Sequence, residues 1–209
     1  MAETYPLTFP THTGVSSVDW IADNRISVSE SPFTYHQQVV KHAGARWSGG
    51  IVLPPMKRED ADRWNAFFLR LDGSFGTFLM GDPAGKTPRG SAASTAGTPV
   101  VNGSSQTGNE LDIDGLPVSE TGYLKAGDYI QIGSGSTSKL HKVLEDVDTN
   151  ASGEATLNIW PDLRSSPADN AALSVSNAKG VFRLLNSSIQ WSVDNRNFYT
   201  LAFEFVEAL

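Results

Sequence analysis

Tyr199, Leu201, Phe203 and Phe205 alternate with Thr200, Ala202, Glu204 and Val206. A period of two predicts a strand, here with one aromatic-rich face. Ile189, Trp191 and Val193 alternate in the same way with Ser188, Gln190 and Ser192, and Asp194–Asn197 between the two runs predicts a hairpin loop. In the first third, Val18, Trp20 and Ala22 alternate with Ser17, Asp19 and Ile21. Strands are expected at Ser16–Val28, Thr34–Lys41 and Arg46–Leu53, with Asp23-Asn24 a turn or bulge. The period then changes. Ala61, Trp64, Phe67, Phe68 and Leu71 recur at helical spacing, with Glu59, Asp60, Asp62, Arg63 and Arg70 on the other faces, which predicts a helix over Arg58–Leu71. Pro54-Pro55 ends the strand before it, because proline lacks the ladder donor. Asp72-Gly73 ends the helix, and Phe75–Met80 is expected to return as a strand. The aromatic face of Tyr199–Phe205 needs a large partner surface, and the Trp64, Phe67 and Phe68 face of the helix is the candidate.

The texture shifts at Asp82–Gly97, a stretch of Gly, Pro, Ser, Thr and Ala with almost no large apolar residue, which reads as a linker or excursion. Short strands follow at Thr98–Val101, Glu110–Ile113, Asp128–Ile132, Lys139–Val147 and Ala155–Ile159. Turn signals divide them at Asn102-Gly103, Asp114-Gly115, Gly133–Gly135 and Asn150–Gly153. A second polar stretch, Arg164–Asn170, closes this unit before the long strands resume. The division predicted is therefore an insertion. Residues 1–88 and 169–209 form one β domain with a flanking helix, and residues 89–168 form a small β-barrel placed within it. The two crossings, at Asp82–Gly97 and Arg164–Asn170, are expected to lie side by side.

The 209 residues carry a net charge of −7, and the acidity is concentrated in residues 89–168, with ten acidic against five basic side chains. Nothing in that balance attracts nucleic-acid phosphates. There is no cysteine, which removes disulfides, zinc thiolates and thiol chemistry. No basic stretch followed by an apolar run marks a signal peptide, and no apolar run approaches the roughly 18 residues that cross a bilayer. The expectation is a soluble chain made in the cytoplasm, with no membrane partner.

Candidate chemistry is sparse. His12, His36, His42 and His141 lie on separate segments and read as solvated, with no metal-ligand spacing. Asp112-Ile113-Asp114-Gly115 starts like a calcium loop, but Leu116 and Pro117 fill ligand positions, so it reads as a hairpin turn. Gly81 with Gly85-Lys86-Thr87 falls one residue short of a phosphate loop, and Pro88 and Gly90 stand where a helix should start. No Gly-x-Ser-x-Gly elbow occurs. No catalytic, cofactor-binding or metal residue is assigned, and the chain does not read as an enzyme. Trp20, Trp47 and Trp191 lie in alternating strands and are expected in the core. Trp160, next to Pro161 at the edge of the insert, is the candidate for a stacking contact with a glycan.

The strand–helix–strand of Gly44–Pro83 resembles that of tail-tube-like phage proteins. With the strands Leu124–Gly133 and Lys139–Val147 and the closing pair Gly180–Leu185 and Ser188–Val193, the chain resembles the distal tail proteins of long, non-contractile phage tails. The run Gly153–Pro167 is also of a type common in prophage tail genes. The resemblance covers nearly the whole chain, in texture and order and without a catalytic motif. It implies a mainly β fold, a tail-tube-like β-sandwich with one flanking α-helix and an added small β-barrel of OB-like or galectin-like kind. In some members that barrel follows the ring domain, an order from which the insertion departs. The implied function is structural: a ring, expected to be hexameric, at the distal end of the tail in the virion, joining the tail tube protein to the hub or tip of the baseplate. DNA would pass through its lumen without specific binding. The alternative is a carbohydrate-binding module for host adsorption.

Overall fold

The computed structural model describes residues 3–209. Its strands are β1 (Leu7–Thr8), β2 (Ser17–Glu30), β3 (Gln37–Val52), β4 (Phe78–Met80), β5 (Val100–Val101), β6 (Gly108–Asp114) and β7 (Tyr129–Ile132). They continue as β8 (Lys139–Val143), β9 (Ala155–Leu163), β10 (Leu173–Ser174), β11 (Gly180–Leu184), β12 (Trp191–Val193) and β13 (Tyr199–Glu207). The helix α1 (Arg58–Leu71) lies between β3 and β4. The fold is mainly β, with two sheets. The first has seven strands in the order β1-β4-β11-β13-β3-β2, with β12 on β13; the second has six in the order β10-β7-β8-β9-β6-β5.

Helix α1 buries the face that its spacing predicts: Ala61, Trp64, Phe67, Phe68 and Leu71. Asp72 takes the left-handed conformation (φ 52°) at its end, with its N–H on Leu69 O, and so stops the helix before Gly73. Phe68 meets Phe203 of β13 edge-on at 4.9 Å, and Phe67 meets Phe78 of β4 at 5.8 Å. The aromatic face of β13 thus finds the partner expected of it.

Helix α1 covers only part of that face. Trp20, Trp47, Phe182 and Phe205 form an aromatic cluster farther along the sheet, with Trp20 5.1 Å from Phe205 and 5.8 Å from Phe182. Tyr129 and Leu140 of the second sheet belong to this same core, and Tyr129 lies 6.1 Å from Trp47. The second layer of the sandwich is therefore composite, helix on one part and barrel on the other. Residues 89–168 thus contribute to the core of the domain into which they are inserted. A sheet of this length exposes more apolar area than one 14-residue helix can cover, and the barrel covers the remainder.

The second sheet curls until its ends nearly meet. The N–H groups of Val101 and Leu173 donate to Ala171 O (3.0 Å) and Pro99 O (3.1 Å), and Asn170 N–H to Val101 O (2.9 Å), tying β5 to the approach of β10. The interior is filled by Leu111, Ile113, Ile130, Leu157 and Ile159, all fully buried. The boundary at residue 168 moves accordingly. Arg164–Asn170 is a loop inside the barrel, and Leu173 and Val175 are part of the barrel's core. The chain leaves the large sheet at Gly81 and returns at Ala178. A Cβ on Gly81 would stand 2.0 Å from Ala178 O, so only glycine fits this crossing. Asn177 N–H donates to Lys86 O (2.6 Å) beside it.

Other local expectations shift. The strands expected at Thr34–Lys41 and Arg46–Leu53 are one strand, β3. Strand β4 starts only at Phe78, and Phe75 is exposed. Strand β8 ends at Val143, so Leu144 faces solvent. Trp191 and Val193 are exposed, because β12 is a three-residue edge strand outside the cover of α1. Asp114-Gly115 turns the chain (Gly115 φ 72°) without making a hairpin, since β6 pairs with β5 and β9. The Asp194–Asn197 hairpin forms as expected, with Asp194 Oδ1 accepting the N–H groups of Arg196 (2.9 Å) and Phe198 (2.8 Å).

Candidate functional site

Strands β2 and β3 pair from Ser17↔Val52 out to Glu30↔Gln37. The bulge anticipated at Asp23-Asn24 is present as a register shift between Asn24 and Ile26. On the body side of it Ala45, Trp47 and Ile51 are buried. Beyond it the hairpin leaves the body and both faces meet solvent. The tip is closed by Ser31 N–H to His36 O (3.0 Å) and Tyr35 N–H to Ser31 O (2.9 Å), with Tyr35 at φ 56°. A β-branched run on each strand and Pro32 at the turn make this arm locally favourable. A two-stranded ribbon with no third layer is nonetheless marginal by itself.

The arm is apolar where a solvated ribbon should be polar. Ile26, Val28, Phe33, Tyr35, Val39 and Val40 are exposed by 54%, 60%, 91%, 76%, 59% and 43%. At the roughly 150–250 Å² of a large aromatic side chain, Phe33 and Tyr35 alone expose about 300 Å², the size of the largest patch on an ordinary monomer, and Ile26, Val28 and Val39 add to it on one face of the ribbon. Two further features mark the arm as an assembly element. The outer edge of β2 has no strand neighbour among the described residues, and β13 reaches β3 only over Ser48–Val52. Open edges of this length invite pairing with another chain.

The barrel grips the base of the arm. Trp160 Nε1 donates to Asn24 Oδ1 at 2.9 Å, and Lys41 Nζ to Asp162 Oδ2 at 2.7 Å. Trp47 Nε1 donates to Leu140 O at 3.0 Å, and its ring meets Trp160 edge-on at 4.4 Å. Arg164 donates to both oxygens of Glu207 (3.0 and 2.7 Å) and to Ala45 O. Glu207 is buried and also accepts the Trp47 N–H at 3.1 Å. Lys41–Asp162 is an exposed pair worth at most about 1 kcal/mol. Arg164–Glu207 is bidentate, and its removal would leave a carboxylate in the interior.

The residues considered for chemistry do not converge. His36 sits at the arm tip and His42 on β3, where its Nε2 lies 2.9 Å from Ser27 Oγ. His12 packs on Trp64 with a ring separation of 5.7 Å. His141 corrects the expectation of a solvated ring: it is buried, its Nδ1 is 2.7 Å from Pro161 O, and burial pushes its pKa down to about 4. Asp112 accepts from Thr156 Oγ1 at 2.6 Å, a cross-strand bond between β6 and β9. Trp160, the candidate for glycan stacking, is half-buried, with one edge on Trp47 and its N–H committed to Asn24. It stands at the junction between barrel and arm.

No protein-family model matches the chain, and no curated protein matches it. No helix among the described residues is long and apolar enough to cross a membrane.

The arm was only partly legible in the sequence. Its strands are predicted, but as members of the body. The alternation of Ile26 and Val28 with Ser27 and Ser29 is that of a half-buried strand, so nothing in the pattern separates the arm from the body.

Proposed function

We propose that this chain is a structural subunit of a phage tail that assembles into a ring, with six copies, at the distal end of the tail. The observation that carries the reading is the projecting arm, with the exposed aromatic tip Phe33 and Tyr35, an apolar face of Ile26, Val28 and Val39, and open strand edges. A side chain leaves water only if something covers it, and no described residue covers Phe33 or Tyr35. A helix laid on a long sheet, with a small barrel bracing that sheet, supports the likeness to distal tail proteins. In this reading the tube protein and the hub or tip proteins are the neighbours above and below, and the lumen passes DNA without specific contacts. The role is not catalytic. Trp160 gives its N–H to Asn24, and the aromatic beside it, Trp47, is buried and offers no face to a sugar, so the structural role is favoured over glycan binding.

A reconstruction of the phage particle that contains this chain tests the reading. Six copies in one ring between tube and tip are expected. A single copy, or a location away from the tail axis, overturns it.

A further inference from the structure

Two unlike features lie at opposite ends of the large sheet. In the order β1-β4-β11-β13-β3-β2 the arm grows from the last two strands. A cavity of about 410 Å³ opens beside the first two, lined by Phe9, Pro10, Val15, Leu79 and Met80 among others. Lys86 and Lys179 also line it, and neither forms an ion pair with a described residue. Asp82, the acidic residue of the lining, is turned back on its own loop, where Oδ1 accepts the Ala84 N–H at 2.9 Å.

We propose that the arm of one copy seats its Phe33–Tyr35 tip in the Phe9–Leu79–Met80 cavity of the next copy. The proposal rests on the ring reading and names the contact that would build the ring. Phe33 and Tyr35 are aromatic anchors at the end of the projecting arm, and aromatics are among the residue types that dominate interface energetics. The cavity falls within the roughly 300–1,000 Å³ range of sites that take small organic groups, with room for an aromatic ring. Glu30, the acidic residue at the tip, is bonded to Gln37 across the arm. It would approach Lys86 and Lys179, so the charges are complementary. The symmetry follows from the placement. Arm and cavity are different surfaces at different ends of one sheet, so the contact is heterologous: each copy gives an arm and receives one. Such a contact propagates head to tail and ends only when a ring closes. Arm-to-arm pairing would be isologous and would stop at two copies.

The chain has no cysteine, so Thr34→Cys with Thr11→Cys places the only two thiols at the tip, between the two anchors, and at the cavity. Mild oxidation of the purified double variant should give a ladder of linked dimers, trimers and higher species. A mixture of the two single variants should give one heterodimer band, with neither variant linking to itself. Self-linked dimers of Thr34→Cys alone, or no ladder from the double variant at high protein concentration, overturn the proposal. A second variant, Phe33→Ser, changes a 91% exposed side chain and should keep the parent's melting temperature while weakening self-association about 30-fold in sedimentation. Unchanged association overturns the proposal. Electron microscopy of the linked species separates this contact from the ring reading. Open filaments keep the contact and refute the ring; rings that form without linkage or loss in Phe33→Ser keep the ring and refute the contact.

Discussion

Replacing Trp64 by alanine should remove the keystone of the larger core. Trp64 is fully buried and stacks on Phe68 with ring centres 5.8 Å apart. It meets Phe9 at 5.2 Å and Phe67 at 6.0 Å edge-on, and its Nε1 donates to Thr13 Oγ1 at 2.9 Å. The substitution loses the burial of the indole, leaves a cavity among Phe9, Phe67 and Phe68, and removes the donor to Thr13 Oγ1. Phe and Trp truncations in such settings cost about 3–5 kcal/mol. At roughly 2–4 °C per kcal/mol for a chain of this size, the melting temperature should fall by about 6–20 °C. Circular dichroism melts and urea titrations of the full chain measure it. Leu69→Ala, on the exposed side of the same helix, is the control and should stay within about 0.5 kcal/mol of the parent. Helix propensity is nearly matched in this pair, so the difference reports burial. A Trp64→Ala melt within about 2 °C of the parent would refute the placement of α1 on the sheet.

Deletion of the barrel, with residues 87–176 replaced by a short Gly-Ser linker, should give an aggregating or unfolded product, because Trp20, Trp47 and Phe205 lose Tyr129 and Leu140 as cover; a soluble product with a cooperative melt would show that the two cores are separable. Stability should also fall on acidification through His141. Its folded-state pKa, lowered by burial to about 4 from 6.5, means that the unfolded chain binds the proton first. The stability it withholds is therefore absent above pH 6.5 and accrues as a loss between about pH 6.5 and 4, reaching about 2 kcal/mol between pH 7 and 5. Urea titrations of the parent and of His141→Asn over that range should give a steeper decline for the parent, and parallel declines would remove His141 as the cause.

The sequence by itself determined the elements whose partners are close along the chain or whose period is unambiguous. Helix α1 and its buried face follow from the 3.6-residue spacing of Ala61, Trp64, Phe67, Phe68 and Leu71. Strand β13 follows from its alternation, and the loop before it from Asp194 and Asn197, whose side chain and positive φ make the turn locally. The presence of a small β unit in the middle of the chain was equally legible from its turn residues. Tertiary structure decided what each apolar face meets. Trp47 and Trp191 both lie in alternating strands, yet one is core and the other exposed, since burial depends on which part of the sheet α1 and the barrel cover. The return crossing lies at Ala178 and not in the polar stretch before it, because Val101 pairs with Ala171 to close the barrel first. Strand periodicity states only that a face needs covering. In β13 the cover comes from α1, in Trp20 and Trp47 from the barrel, and along Ile26–Val40 from no described residue, which is why a pattern that reads as body became an arm.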